Sequence, residues 1–171
     1  MSERLYSFTW DLIGDINARE HLGPLTRVET YRLMQFCFRD ILEKYCGTKQ
    51  ADTLFHEAGK LAGIHFYARF LSAKEMDFNT FVMETQQVLI DQKIGILRIE
   101  EADLEQGKLV LTVDEDLDCS GLPELDHEFC AYDEGFLAGL LGSYVKRECR
   151  VKEIDCWCTG ARTCRFIAEF I

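Results

Sequence analysis

The residues best suited to chemistry lie in the last third of this 171-residue chain: Cys130, Cys156 and Cys164, with carboxylates nearby. Thiolates and carboxylates in such a group suit a zinc ion, which takes four ligands in a tetrahedron. Cys156 and Cys164 flank a turn at Thr159-Gly160-Ala161. With Gly160 at the centre of a hairpin, they face each other with Cβ atoms about 5 Å apart. Two thiolates at that spacing can share one ion at roughly 2.3 Å from each sulfur. Cys130 lies early in a predicted helix, and a place near the positive end of a helix favours its thiolate. The fourth position is open. Glu153 lies three residues before Cys156 and points to the opposite face of a regular strand, so it joins only if the strand bulges. Asp155, Cys158, Cys119 and His127 compete for the place. The short spacing of a zinc ribbon is absent, and the bland alternative is three thiols buried where a helix meets a hairpin, with Glu153 in solvent.

Four helices and two strand pairs are expected to position these groups. Thr26 and Glu29 form a capping box, followed by Val28, Leu33, Phe36, Phe38, Ile41, Leu42 and Tyr45 at helical spacing and a stop at Gly47. Cys37 and Cys46 in this helix read as core filler. A second helix over about 50–71 carries Leu54, Phe55, Ala58, Leu61, Ala62 and Ile64 as its apolar side. Its Gly59 and Gly63, one turn apart, admit close approach of another backbone or a ligand, and its His56 and His65 read as polar edges. Asp77 caps a third helix with Phe81, Val82, Val88 and Leu89.

The period then changes to two. Leu97 and Ile99 alternate with Arg98, and Leu109, Leu111 and Val113 alternate with Val110 and Thr112, which gives two strands joined near Gln106-Gly107. After an acidic loop, Asp126 is expected to cap a fourth helix with Phe129, Phe136, Leu137, Leu140, Leu141 and Tyr144 inward. Gly135, Gly139 and Gly142 make one flank of that helix thin. The final hairpin contains Cys149 and Trp157 as ordinary strand residues. Strands adjacent in sequence suit an antiparallel sheet with helices on one side, an α+β fold. One domain over 1–171 is expected, helical over about 1–92, with the sheet and metal-binding part over about 93–171.

A net charge of −11 argues against nucleic acid and anionic membrane surfaces. The N-terminus does not read as a signal peptide, and no long uncharged apolar run predicts a membrane span. The expectation is a cytoplasmic protein whose eight cysteines stay mostly reduced.

The pattern Cys130-x22-Glu153-x2-Cys156-x7-Cys164, ending in CTGARTCRF, resembles the 4-vinyl-reductase domain family. Its spacing is similar to that of the zinc-binding sensory domains of phenol-responsive transcription activators. The likeness is strongest over the last forty or so residues. It implies a structural Zn2+ held by Cys130, Glu153, Cys156 and Cys164. It also implies a four-stranded antiparallel sheet packed with helices, like the ligand-binding domain of nitric-oxide-signalling and Golgi-transport proteins, and a homodimer. The chain shows no ATPase or DNA-binding part after this region, so regulation would run through a separate protein.

Three functions compete. A binding or sensor domain for an apolar, hydrocarbon-like or aromatic molecule comes first, with Leu97, Ile99, Leu109 and Leu111 as one pocket wall and Phe66, Phe136 and Leu140 as the other. Four protein ligands leave no open position on the ion, which disfavours catalysis, and no catalytic residue is assigned. A tetrapyrrole carrier or vinyl-reductase subunit is second, although no site for a hydride donor is visible. An interaction subunit is third, and it predicts a large exposed apolar patch, with the first helix as its source.

Overall fold

The computed structural model describes residues 5–125, 127 and 129–171. Two short 3-10 turns, Trp10–Ile13 and Ile16–Ala18, precede three helices, α1 (Val28–Cys46), α2 (Thr48–Phe70) and α3 (Phe78–Asp91). Strands β1 (Ile96–Asp103) and β2 (Lys108–Asp114) follow, then α4 (Ala131–Val145), β3 (Cys149–Asp155) and β4 (Cys164–Phe170). The sheet is four-stranded and antiparallel throughout, in the order β1-β2-β4-β3. The alternation seen in the sequence is its cause: Leu97, Leu109, Leu111, Val113, Val151, Phe166 and Ala168 are buried in one core cluster with Leu137, Leu140 and Leu141 of α4.

Local signals explain several boundaries. The Asp77 side chain accepts the Thr80 N–H at 2.8 Å and starts α3. Gly47, at φ +81°, ends α1 and donates to the Glu43 carbonyl. Two expectations are corrected. The N-cap of α1 is Arg27, with no side-chain cap, so Thr26 forms no capping box. Asp126 lies outside the described residues, and α4 begins later, with Cys130 at its N-cap.

The pairing of α2 with α4 brings the two backbones into contact, with the Phe66 and Phe136 rings meeting edge to face at 5.2 Å beside them. A Cβ on Gly59 would fall 2.0 Å from the Tyr132 carbonyl oxygen, and one on Gly63 2.1 Å from that of Phe136. From the other helix, Gly135 and Gly139 face the His56 and Lys60 carbonyls as closely. This corrects the expected orientation of α2, whose buried residues are Ala51, Gly59, Gly63 and Phe66. Leu54, Leu61 and Ile64 are exposed. Helix α4 is buried all round over Gly135–Leu141, as a central helix must be when it is apolar on every side.

Helix α1 is packed differently. Its one buried residue is Arg39, whose guanidinium bonds the carboxylates of Glu43 and Asp52 and lies 4.4 Å from the centre of the Phe129 ring. Leu33, Met34, Phe38, Ile41 and Tyr45 are exposed. Cys37 and Cys46 are exposed too, not core filler.

Candidate metal centre

Cys130, Cys156 and Cys164 are brought together by three different elements: the start of α4, the end of β3 and the start of β4. The β3–β4 register shifts between Glu153 and Asp155. That bulge turns Glu153 and Cys156, three residues apart, to the same buried side. Beyond it, Trp157–Thr159 form a 3-10 turn closed by Gly160 at φ +95°, so Trp157 is a turn residue, not a strand residue, and its indole N–H donates to the Leu122 carbonyl at 3.2 Å.

A fourth sulfur completes the group. Cys119 lies in the loop after β2, and its Sγ is 2.9 Å from that of Cys164. Cys130 is 3.7 Å from Cys156 and 3.8 Å from Cys164, and all four sulfurs lie within 4.8 Å of one another. Sulfurs at about 2.3 Å from a tetrahedral ion are separated by about 3.8 Å, so two edges already have that length. No pair is at the ~2.05 Å of a disulfide. The four cysteines are positioned to bind a metal ion, and all are 2% exposed or less.

Glu153 lies beside this cluster. It is 2% exposed, and neither carboxylate oxygen has a hydrogen-bond partner. Burial, reinforced by Cys156 and Cys164, pushes its carboxyl up to about 10. The neighbouring thiols, Cys119 first, hold the Cys156 thiol far below its usual range. The same network pushes Cys130 up, with the Cys119 contact first. An orphaned buried carboxyl beside four converging sulfurs fits a cation at their centre.

The other sequence candidates are placed elsewhere or otherwise engaged. Asp155 is ion-paired with Arg165 at 2.8 Å. His127 is exposed, its ring 5.2 Å from that of Phe129. Cys158 is buried, outside the four-sulfur group, and its carbonyl accepts the Leu125 N–H.

The loop that delivers Cys119 has a local cause and a distant one. Asp116 Oδ1 accepts the N–H groups of Asp118 and Cys119, each at 2.9 Å, which shapes the turn. Asp118 in turn accepts Tyr31 Oη and Gln35 Nε2, each at 2.8 Å. Arg32 donates to the carbonyls of Leu117 at 2.8 Å and Ser120 at 2.9 Å. Burial, with the Asp118 charge, lifts Asp116 to about 7.

Two apolar cavities adjoin. One, of about 570 Å3, runs between α1 and α2 and is lined by Tyr31, Met34, Gln35, Phe38, Leu42, Leu54, Phe55, Ala58 and Tyr132. The other, of about 470 Å3, shares Ala58 and Tyr132 with the first and is covered by Phe8, Trp10 and Ile13. Of the pocket residues expected from the sequence, Phe66 and Phe136 line this second cavity. Leu97, Leu109, Leu111 and Leu140 are buried in the core, with Ile99 packed against it.

The family model of the V4R domain matches residues 109–170, from β2 through β4. Over this segment the chain is similar to the V4R domain. All four sulfurs and Glu153 lie inside it; α1, α2 and β1 lie outside. The V4R match extends to a likeness of fold over most of the chain. The phenol-responsive sensory domain of the transcription activator PoxR, solved with phenol, superposes with a TM-score of 0.66 at 14% identity, over 85% of this chain and 75% of its own. A vinyl-4-reductase family protein from Methanocaldococcus jannaschii superposes with a TM-score of 0.64 at 14% identity, over 99% of both chains. A trafficking protein particle complex subunit 3 from Naegleria fowleri, covalently bound to palmitic acid, gives 0.64 at 13% identity, over 84% and 95%. At these identities the likeness is one of fold. No helix among the described residues is long and apolar enough to cross a membrane.

Proposed function

We propose that this protein is a cytoplasmic sensor domain that binds a small apolar molecule and is held together by a structural zinc ion. The ion is held by Cys130, Cys156 and Cys164, with Cys119 and Glu153 as the two donors within reach of the fourth position. Thiolates favour zinc over harder cations, and a site filled by protein donors ties the β3–β4 ribbon to α4 rather than activating water. The ligand lies in the cavity between α1 and α2 and extends into the adjoining one, whose wall holds Phe66 and Phe136 with the buried sheet residues behind them. The observation that carries this reading is the 570 Å3 cavity, of ordinary ligand-site size, whose lining is almost wholly apolar apart from Tyr31, Gln35 and Tyr132. The fold shared with a phenol-bound sensor and a palmitate-bound subunit supports it. The exposed row Leu33, Met34, Phe38, Ile41 and Tyr45 supports a homodimer through α1, and output then passes to a separate regulatory protein.

Native mass spectrometry together with a fluorescence titration tests the proposal. The purified protein is expected to carry one zinc per chain. Anilinonaphthalene sulfonate is expected to bind and to be displaced by phenol or by palmitate. Ala58→Trp, which fills the space where the two cavities meet, is expected to abolish probe binding while zinc stays bound. Probe binding unchanged by Ala58→Trp would place the ligand elsewhere.

A further inference from the structure

Helix α2 carries an apolar stripe that the core leaves only partly covered. Leu54, Phe55, Ala58, Leu61 and Ala62 recur at helical spacing, yet the residues that α2 buries are Ala51, Gly59, Gly63 and Phe66. All five of the stripe line the two apolar cavities. The first takes Leu54, Phe55 and Ala58. The second takes Ala58, Leu61 and Ala62, and runs on to His65 and Phe66. The cavities therefore lie end to end along the axis of α2 and meet at Ala58 and Tyr132. From Leu54 to Phe66 the helix rises about 18 Å. An extended chain advances about 1.2 Å per bond, so about fifteen atoms in line reach from one end to the other.

The two ends differ. At the near end Met34, Phe38 and Leu54 are exposed, so the first cavity opens to solvent there. At the far end Phe8, Trp10 and Ile13 lie over the second cavity. Phe8 meets the His65 ring edge-on at 4.9 Å, and Trp10 meets the Phe70 ring at 5.4 Å. The backbone hydrogen bonds of this strap are local, from Leu12 to Thr9, Gly14 to Asp11, Ala18 to Asp15 and Gly23 to Arg19. Among the described residues, none joins 5–26 to the helices or the sheet. Its two 3-10 turns bury no residue. A segment attached by a few ring contacts alone is among the first to open.

We infer that the site selects its ligand by length: it takes a long unbranched alkyl chain that lies along α2, with the strap closing on its far end through Trp10. This rests on the apolar-ligand reading above and names the class of ligand. The polar head stays in solvent at the open end. A chain of eight carbons, about 10 Å long by the same measure, stops short of Phe66 and Trp10. Each methylene added beyond it leaves water for the walls of the second cavity, which tightens binding about fourfold. The gain ends when the chain meets the strap. A compact ring system of equal carbon number fills one cavity and cannot reach the other. A partner helix, about 10 Å across with its side chains, would have to lift Phe8, Trp10 and Ile13 away.

Displacement of anilinonaphthalene sulfonate from the full chain by straight-chain fatty acids tests this. Affinity is expected to rise about fourfold per methylene from octanoate to tetradecanoate and to level off by hexadecanoate. Undecanoate is expected to bind at least about tenfold more tightly than adamantane carboxylate, its compact counterpart of equal carbon number. Trp10→Ala is expected to weaken tetradecanoate about tenfold and octanoate less than about twofold. Ala62→Trp, which fills the second cavity, is expected to leave octanoate binding and to remove the advantage of tetradecanoate. In Trp157→Phe, where Trp10 is the one indole left, tetradecanoate is expected to shift the emission to shorter wavelength and octanoate is not. The inference is overturned by affinity that does not grow with length, by Trp10→Ala weakening both acids equally, or by the same emission with both. Displacement by phenol but by no fatty acid also overturns it, while leaving the apolar site in place. A protein that binds neither the dye, phenol nor any of the acids overturns the ligand-binding reading itself.

Discussion

Helix α2 packs against α4 and helix α1 packs against α2, yet opposite physics holds the two pairs. Between α2 and α4, Gly59, Gly63, Gly135 and Gly139 let carbonyl groups reach positions that a single methyl group would occupy. Contact this close is short-ranged and unforgiving, because interiors transmit volume changes rather than absorb them. Helix α1 buries one side chain, a cation, and is otherwise held by the clasp around Arg39 and by polar bonds to the 116–120 loop. Such bonds exchange readily with water and are each worth about 1 kcal/mol net. The comparison teaches that the molecule has a rigid half that carries most of the metal donors and a lightly attached helix that carries the cavity wall.

That contrast can be broken in graded steps. The largest effect is expected from Cys156→Ser, which removes a donor on which the rigid half depends; metal content falls to zero and the melting temperature drops by about 10 °C or more. Chelation of the wild-type protein is expected to reproduce both changes, as read by elemental analysis and calorimetry. Next, Gly135→Ala forces a methyl group onto the His56 carbonyl and is expected to cost about 3 kcal/mol in denaturant unfolding. Arg39→Met removes the clasp of α1 while filling its space and is expected to cost about 1–2 kcal/mol. Its signature is faster hydrogen exchange confined to α1, with α2 and α4 still protected. The smallest change in stability is expected from Ile41→Glu on the exposed row, within about 0.5 kcal/mol for the isolated chain, while light scattering reports a monomer in place of the proposed dimer. Slow exchange throughout α1 in Arg39→Met would erase the distinction between the two packings.

The sequence showed the sheet plainly because a period of two has a single reading, and the burial of Leu97, Leu109, Leu111 and Val113 follows it. It also carried the convergence of Cys130, Cys156 and Cys164, since a turn at Gly160 leaves the flanking sulfurs facing each other, and it exposed the need for a bulge beside Glu153. Other features were hidden for physical reasons. The spacing of Leu54, Leu61 and Ile64 shows that α2 has an apolar side but not which side meets its neighbour, and here the glycines meet it. The start of α1 was misplaced because Arg27, not the better-suited Thr26, occupies the cap. Cys119 stood in an acidic loop without periodicity. The signal that marks it is Asp116, whose side chain folds the turn onto the Cys119 N–H, a pattern whose meaning depends on partners in α1 more than eighty positions earlier.

That separation along the chain has a consequence for biosynthesis. Asp118 lies 83 residues after the Gln35 it will join, and Cys164 comes later still. At about 5–20 residues per second, the helix with the most exposed oily surface leaves the ribosome on the order of ten seconds before its last anchor is made. Newly made chains therefore pass through a window in which Leu33, Phe38 and Ile41 lack even their polar moorings. Scarcity of the proposed zinc ion is expected to show first there, as nascent protein lost to aggregates, while molecules already folded keep working.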